Sequence, residues 1–196
     1  MASSLVEALF VNRPHAKIIE WLYVSASSSE SFAVRELARC AGVPSGSINR
    51  ALKDLVDRQL VVREQTKYGP RYRAPFEDPR WKHLFLLVRE DSTIVRALKR
   101  ALRPFKSIEY ACIFGSFAHD TTHKASDVDV LILETSDAER FGIMTALSQV
   151  SDKISRETNG QFYSLQEFRA NVKDGDAVVL NIIGNPHITL KGELKL

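Results

Sequence analysis

A chain of 196 residues with 44% hydrophobic and 26% charged residues has an ordinary globular composition and room for one large domain or two small ones. No apolar run approaches the roughly 20 residues that cross a bilayer, and the opening MASSLVEALF lacks the basic start and long apolar centre of a secretion signal, so a cytoplasmic protein with no membrane partner is expected. The net charge of +3 is uneven: residues 1–75 carry 11 Lys and Arg against 7 Asp and Glu, and residues 76–196 carry 16 against 17. That split suggests two domains, with nucleic acid the commonest partner of the basic one.

In chain order, Leu5, Val6, Leu9 and Phe10 have helical spacing in a segment too short to stand alone. After Pro14, the residues Ile18, Ile19, Trp21, Leu22 and Val24 predict an apolar core helix that stops at the serines of residues 25–29. Ser31–Ala33 suits a short strand. Leu37, Ala38 and Ala41 share one face of a helix that Gly42 ends, and Val43-Pro44 turns the chain into a helix over residues 45–58. There Ile48, Leu52, Leu55 and Val56 face a core, which leaves Ser45, Ser47, Asn49, Arg50 and Lys53 outside. Residues 60–63 and 71–73 read as strands around a turn at Thr66–Pro70.

Helix, glycine turn, polar and basic second helix, then a basic hairpin is the plan of a winged helix-turn-helix. Residues 14–75, above all VRELARCAGVPSGSINRALKDLVDRQLV, resemble that fold in its arsenical-repressor or multiple-antibiotic-resistance-repressor form. The resemblance implies that double-stranded DNA is bound by a dimer, with Ser47, Asn49, Arg50 and Lys53 at the major groove and Lys67, Arg71 and Arg73 in the wing near the backbone or minor groove.

Ala74–Pro79, with two prolines and turn-forming acids, is the expected boundary, giving domains at 1–78 and 79–196 with linking helices over 79–105. Trp81, Leu84, Phe85, Leu86, Leu87 and Val88 form one apolar pattern, for which a docked linker and a two-fold contact in a homodimer are equally compatible readings. Ile94, Val95, Leu98, Ala101 and Leu102 form a second helical pattern. Tyr110–Phe114 and Val128–Leu133 read as buried strands, residues 138–158 as an amphipathic helix with Phe141, Ile143, Met144, Leu147, Val150 and Ile154 on its apolar side, and residues 161–165 as a strand. Residues 168–172 and 176–183 suggest a helix pair, and residues 187–192 a closing strand. The whole is an α+β protein whose second domain has a mixed sheet with flanking helices. Cys40 and Cys112, without metal-type spacing, are expected to be buried, free and unreactive.

The stretch Phe114–Leu133 carries the chemistry. Gly115-Ser116 ends a strand, where a glycine turn with exposed N–H groups and the Ser116 hydroxyl makes an anion site. Asp127 and Asp129, two apart, leave one face of a strand roughly 6.5–7 Å apart at their Cα atoms, and two acids in an apolar strand are relieved most simply by a divalent cation held jointly with substrate phosphates. Gly115-Ser116 followed by Ser126-Asp127-Val128-Asp129 resembles the signature of polymerase-β-type nucleotidyltransferases, in their small minimal form. The resemblance implies that Gly115 and Ser116 hold the phosphates of a nucleoside triphosphate, that Asp127 and Asp129 are the catalytic residues and bind Mg²⁺ or Mn²⁺, and that a nucleotidyl group is transferred with loss of pyrophosphate. Two departures stand out. The Phe117-Ala118-His119-Asp120 run lacks the Arg found in many family members, and Gly160–Ser164, where the family has a third carboxylate, contains no acid; Glu157 is the nearest substitute. His119 and His123 flank the turn without a third ligand at metal spacing, so solvation is the expected role. Three functions remain open: a regulator that transfers nucleotides, a regulator that senses a nucleotide, and a transferase of a toxin–antitoxin or resistance system.

Overall fold

The computed structural model describes residues 9–10, 12–26, 30–118 and 127–194, the side chain of Lys82 apart. Expectations placed on residues 4–8, on the serines of residues 27–29 and on residues 119–126, including His119, His123 and Ser126, lie outside the described residues. The chain divides into two compact units, one ending at Ser92 and the other beginning at Thr93.

In the first unit, α1 (Arg13–Glu20) runs into one wide π turn over Trp21–Ser25, closed by the Ala26 N–H on the Trp21 carbonyl. It is followed by β1 (Phe32–Ala33), α2 (Val34–Cys40), α3 (Ser45–Asp57), β2 (Val62–Thr66), β3 (Gly69–Arg73) and α4 (Lys82–Glu90). The α2–α3 turn is a complete Schellman motif: Gly42 has φ +61°, its N–H donates to Arg39 O, and the Val43 N–H reaches back to Ala38 O. Ile18, Ile19, Leu22, Leu37, Ile48, Leu52 and Leu55 make the core, each almost wholly buried. The three strands pair antiparallel in the order β1-β3-β2, and the β2–β3 turn is only Lys67-Tyr68, tighter than the sequence suggested because Thr66 and Gly69 already pair. The helix expected to link domains belongs to this unit. Phe85 lies 4.3 Å from the Tyr23 ring and stacks on Phe76, and the Arg89 Nε donates to Tyr23 O. Cys40, expected to be buried, is half-buried, since the C-terminal end of α2 turns it off the core-facing side.

The second unit holds α5 (Thr93–Leu102), β4 (Ile108–Phe114), β5 (Val128–Glu134), α6 (Arg140–Ile154), β6 (Thr158–Ser164), α7 (Leu165–Asp174), α8 (Ala177–Gly184) and β7 (Ile188–Gly192). Its sheet is mixed, in the order β6-β5-β4-β7: β4 is antiparallel to both β5 and β7, whereas β5 and β6 run parallel. Strand alternation sorts the residues. Tyr110, Cys112, Phe114, Leu131 and Leu133 pack with Phe168 of α7 and Val179 and Ile182 of α8, while Ala111, Ile113, Val130 and Ile132 turn to the opposite face and are equally buried.

Local chemistry sets the helix ends. Ser155, at φ +53°, stops α6 four residues before the expected end, so β6 begins earlier, at Thr158. Ser164 and Glu167 form a reciprocal capping box at the start of α7, and the Asp176 carboxylate accepts from Val178 and Val179 at the start of α8. Lys191 of β7 donates to the Leu102 and Arg103 carbonyls, where free C=O groups and the helix dipole favour a cation. Phe141 and Met144, assigned by periodicity to the buried side of α6, are 84% and 55% exposed; that helix buries only the narrower stripe Ile143, Leu147 and Val150.

Candidate functional site

The site forms where β4 ends. Phe114 is paired across the ladder with Asp129, and the chain then enters one 3₁₀ turn over Gly115–Phe117, closed by the Ala118 N–H on Gly115 O. Gly115 is favoured for two reasons. Its φ of +71° is costly for a residue with a side chain, and a Cβ there would stand 2.9 Å from Asp129 Oδ2. The bare turn and the acid are therefore fitted to one another.

Asp127 lies immediately before β5 and is exposed, whereas Asp129, one turn of the pleat further on, is half-buried. Burial pushes the Asp129 carboxyl above the ordinary aspartate range, the neighbouring Asp127 charge pushes it further, and a hydrogen bond from Asn159 opposes both. Asn159 is a neighbour of the acid pair that the sequence reading did not single out. The parallel β5–β6 ladder sets it opposite Asp129, and its Nδ2 donates to Asp127 Oδ2 at 3.2 Å. A carboxylate only accepts, so the NH₂ end of the amide must be the end that faces the acids. Glu157 is exposed, and its carbonyl accepts from the Val128 N–H at 2.8 Å. Among the described residues no three His, Cys, Asp or Glu side chains gather as a metal-holding group, so Glu157 does not complete a triad with Asp127 and Asp129. Among the described residues the donor set is two carboxylates beside a glycine turn, which suits one hard divalent ion accompanied by phosphate oxygens.

In the first unit α3 presents Asn49, Arg50 and Lys53 to solvent above the buried Ile48, Ala51, Leu52 and Leu55. Ser47 is half-buried, its Oγ donating to Pro44 O, so its side chain is partly spent on the helix start. The wing cations differ. Lys67 is exposed at the hairpin tip, 4.8 Å over the Tyr68 ring, which is 87% exposed. Arg71 donates to Ser31 and lies 3.7 Å from Glu36. Arg73 is held by Glu64 and Glu77, carboxylates that raise its already high pKa, and it braces the hairpin base. Arg63, not singled out from sequence, is exposed on β2 and lines a notch of about 300 Å³ with Asn49, Lys53 and Tyr72, between α3 and the wing. Strand alternation from Val62 would have found it.

Residues 11–69 match the family model described as MarR family, and residues 96–179 match that described as Polymerase beta, Nucleotidyltransferase. The chain joins a MarR-family winged helix domain to a polymerase-β-type nucleotidyltransferase domain. The second match spans Gly115, Ser116, Asp127, Asp129 and Asn159; the first spans Ser47 to Lys67 and stops short of Arg71 and Arg73. No curated protein matches the chain. A solved structure described as "Crystal structure of the toxin-antitoxin with AMP-PNP" is similar at 15% identity and a TM-score of 0.36, over 50% of this chain and 73% of that one. Among the described residues no helix is long and apolar enough to cross a membrane.

Proposed function

We propose that this protein is a DNA-binding regulator whose nucleotidyltransferase domain binds a nucleoside triphosphate with Mg²⁺ or Mn²⁺ and passes that information to the winged helix. The observation that carries the reading is the fit of Gly115 to Asp129: a left-handed glycine turn kept bare of a side chain, against an acid whose repulsion from Asp127 a cation would relieve. Asp127 and Asp129 would hold the cation, and Gly115 and Ser116 would meet the terminal phosphates. The cation would supply charge neutralisation for the triphosphate. On the DNA side, Asn49, Arg50 and Lys53 face the major groove, with Lys67 and Arg63 at the backbone.

Nucleotidyl transfer, the first reading of the resemblance, needs an acceptor hydroxyl made nucleophilic by an acidic ligand or base. The residue in register with Asp129 is Asn159, whose amide takes no proton and adds no negative charge. Sensing is thus favoured over transfer. The test is a melting experiment in Mg²⁺ with each triphosphate in turn. The wild type should be stabilised by at least one of them, and the Asp127→Asn, Asp129→Asn double variant by none, because only a ligand bound to the native state shifts the transition. An equal shift in both proteins would place the nucleotide elsewhere.

A further inference from the structure

We infer that the triphosphate is bound with a single divalent cation, and that Asn159 is the positioning residue that sets this number. The inference rests on the nucleotide-binding reading above. The β5–β6 ladder pairs without a shift from Val128↔Thr158 to Glu134↔Ser164, so residue 159 is fixed beside the acid pair by the backbone and not by a mobile side chain. The Asn159 amide donates to Asp127 Oδ2 at 3.2 Å, and the ladder sets the residue opposite Asp129. It therefore softens the repulsion of the two acids while occupying carboxylate lone pairs that a second ion would need.

Sites that hold two ions roughly 3.5–4 Å apart do so by surrounding them with shared anionic oxygens. Among the described residues the protein brings two negative charges here, and Glu157 does not join them. A first ion is balanced by Asp127 and Asp129. A second would face that ion with no anion of the described residues between, at a position where an NH₂ group already points. Restoring a carboxylate at residue 159 would add the charge at a place the ladder already fixes.

The experiment is equilibrium dialysis of the full chain against Mn²⁺ and a non-hydrolysable analogue of each ribonucleoside triphosphate, with Mn²⁺ and nucleotide both counted in excess of the protein-free compartment. The wild type should retain one Mn²⁺ per bound analogue, Asn159→Ala should also retain one, and Asn159→Asp two. Two ions in the wild type, or only one in a folded Asn159→Asp, would overturn the inference while leaving nucleotide binding intact. No retained analogue would overturn the nucleotide reading and this inference with it. If Asn159→Asp fails to fold, the wild-type count still decides the number of cations, and two ions there would overturn the inference.

Discussion

Gly115→Ala is the perturbation whose magnitude follows most directly from the geometry, and Gly175→Ala is its internal control. Both glycines lie in the second unit, at φ +71° and +76°, so each substitution forces an L side chain into the left-handed region at about 1–2 kcal/mol. In a unit of roughly 100 residues each kcal/mol moves the melting temperature by about 4–8 °C, so Gly175→Ala should lower it by about 4–16 °C. A Cβ at Gly175 meets nothing within 4 Å, so the loss there is conformational only. At Gly115 the Cβ would stand 2.9 Å from Asp129 Oδ2, and the carboxylate must swing away from Asn159 and Asp127. Gly115→Ala should therefore cost at least as much and also abolish the stabilisation by Mg²⁺ and triphosphate, which Gly175→Ala should keep in full. Differential scanning calorimetry with and without ligand reads both effects. A Gly115→Ala protein that melts like the wild type, or that keeps the full ligand shift, would refute the coupling of turn and acid.

A raised Asp129 pKa means that the folded state binds a proton more tightly than the unfolded state, whose reference value is 3.8. The associated stability is present below that value and is lost as pH rises through the folded pKa. Asp129→Asn should accordingly melt higher than the cation-free wild type at neutral pH, with the gap closing in acid; a lower-melting variant would contradict the assigned direction. In DNA titrations Arg50→Ala should cost about 1–3 kcal/mol on the preferred sequence and flatten sequence preference, whereas Lys67→Ala should weaken all duplexes alike and reduce the salt slope. Arg73→Ala should instead destabilise the first unit, by about 1 kcal/mol, because its guanidinium is shared between Glu64 and Glu77; a selective loss of DNA affinity with unchanged melting would show that this arginine reaches DNA. Tyr23→Phe should cost about 0.5–1.5 kcal/mol, since the Tyr23 hydroxyl donates to Leu60 O at 2.8 Å in the core.

The helix-turn-helix was legible because local rules sufficed: Ile48, Leu52 and Leu55 recur at helical spacing, and Gly42 marks the one left-handed residue that the turn requires. The acid pair and glycine turn were legible because a strand end with glycine and an alternating DxD place their atoms with little help from the rest of the chain. Asn159 was not. Its role depends on which residue of β6 stands beside Asp129, and that register depends on where the α6 crossover ends, at the left-handed Ser155, a stop that leaves no periodic signal. The same reason hid the start of β6, where Thr158-Asn159-Gly160 has the composition of a turn but is held as strand by pairing with Val128–Val130. The state of the wing arginines was also beyond sequence, since what holds Arg73 at the hairpin base is a pair of carboxylates that only folding brings to it. Phe141 and Met144 show the limit of periodicity: it marks an apolar face without saying how wide a stripe is covered.

The most direct measurement titrates the intact protein onto its preferred duplex at fixed salt, with and without Mg²⁺ and the stabilising triphosphate, for the wild type and for the Asp127→Asn, Asp129→Asn double variant. Linkage requires that a nucleotide which regulates DNA binding change the DNA dissociation constant, commonly by about 5–150-fold, and that DNA change nucleotide affinity by the same factor. The account predicts such a change in the wild type and none in the double variant. Equal DNA affinity with and without bound triphosphate in the wild type would contradict it.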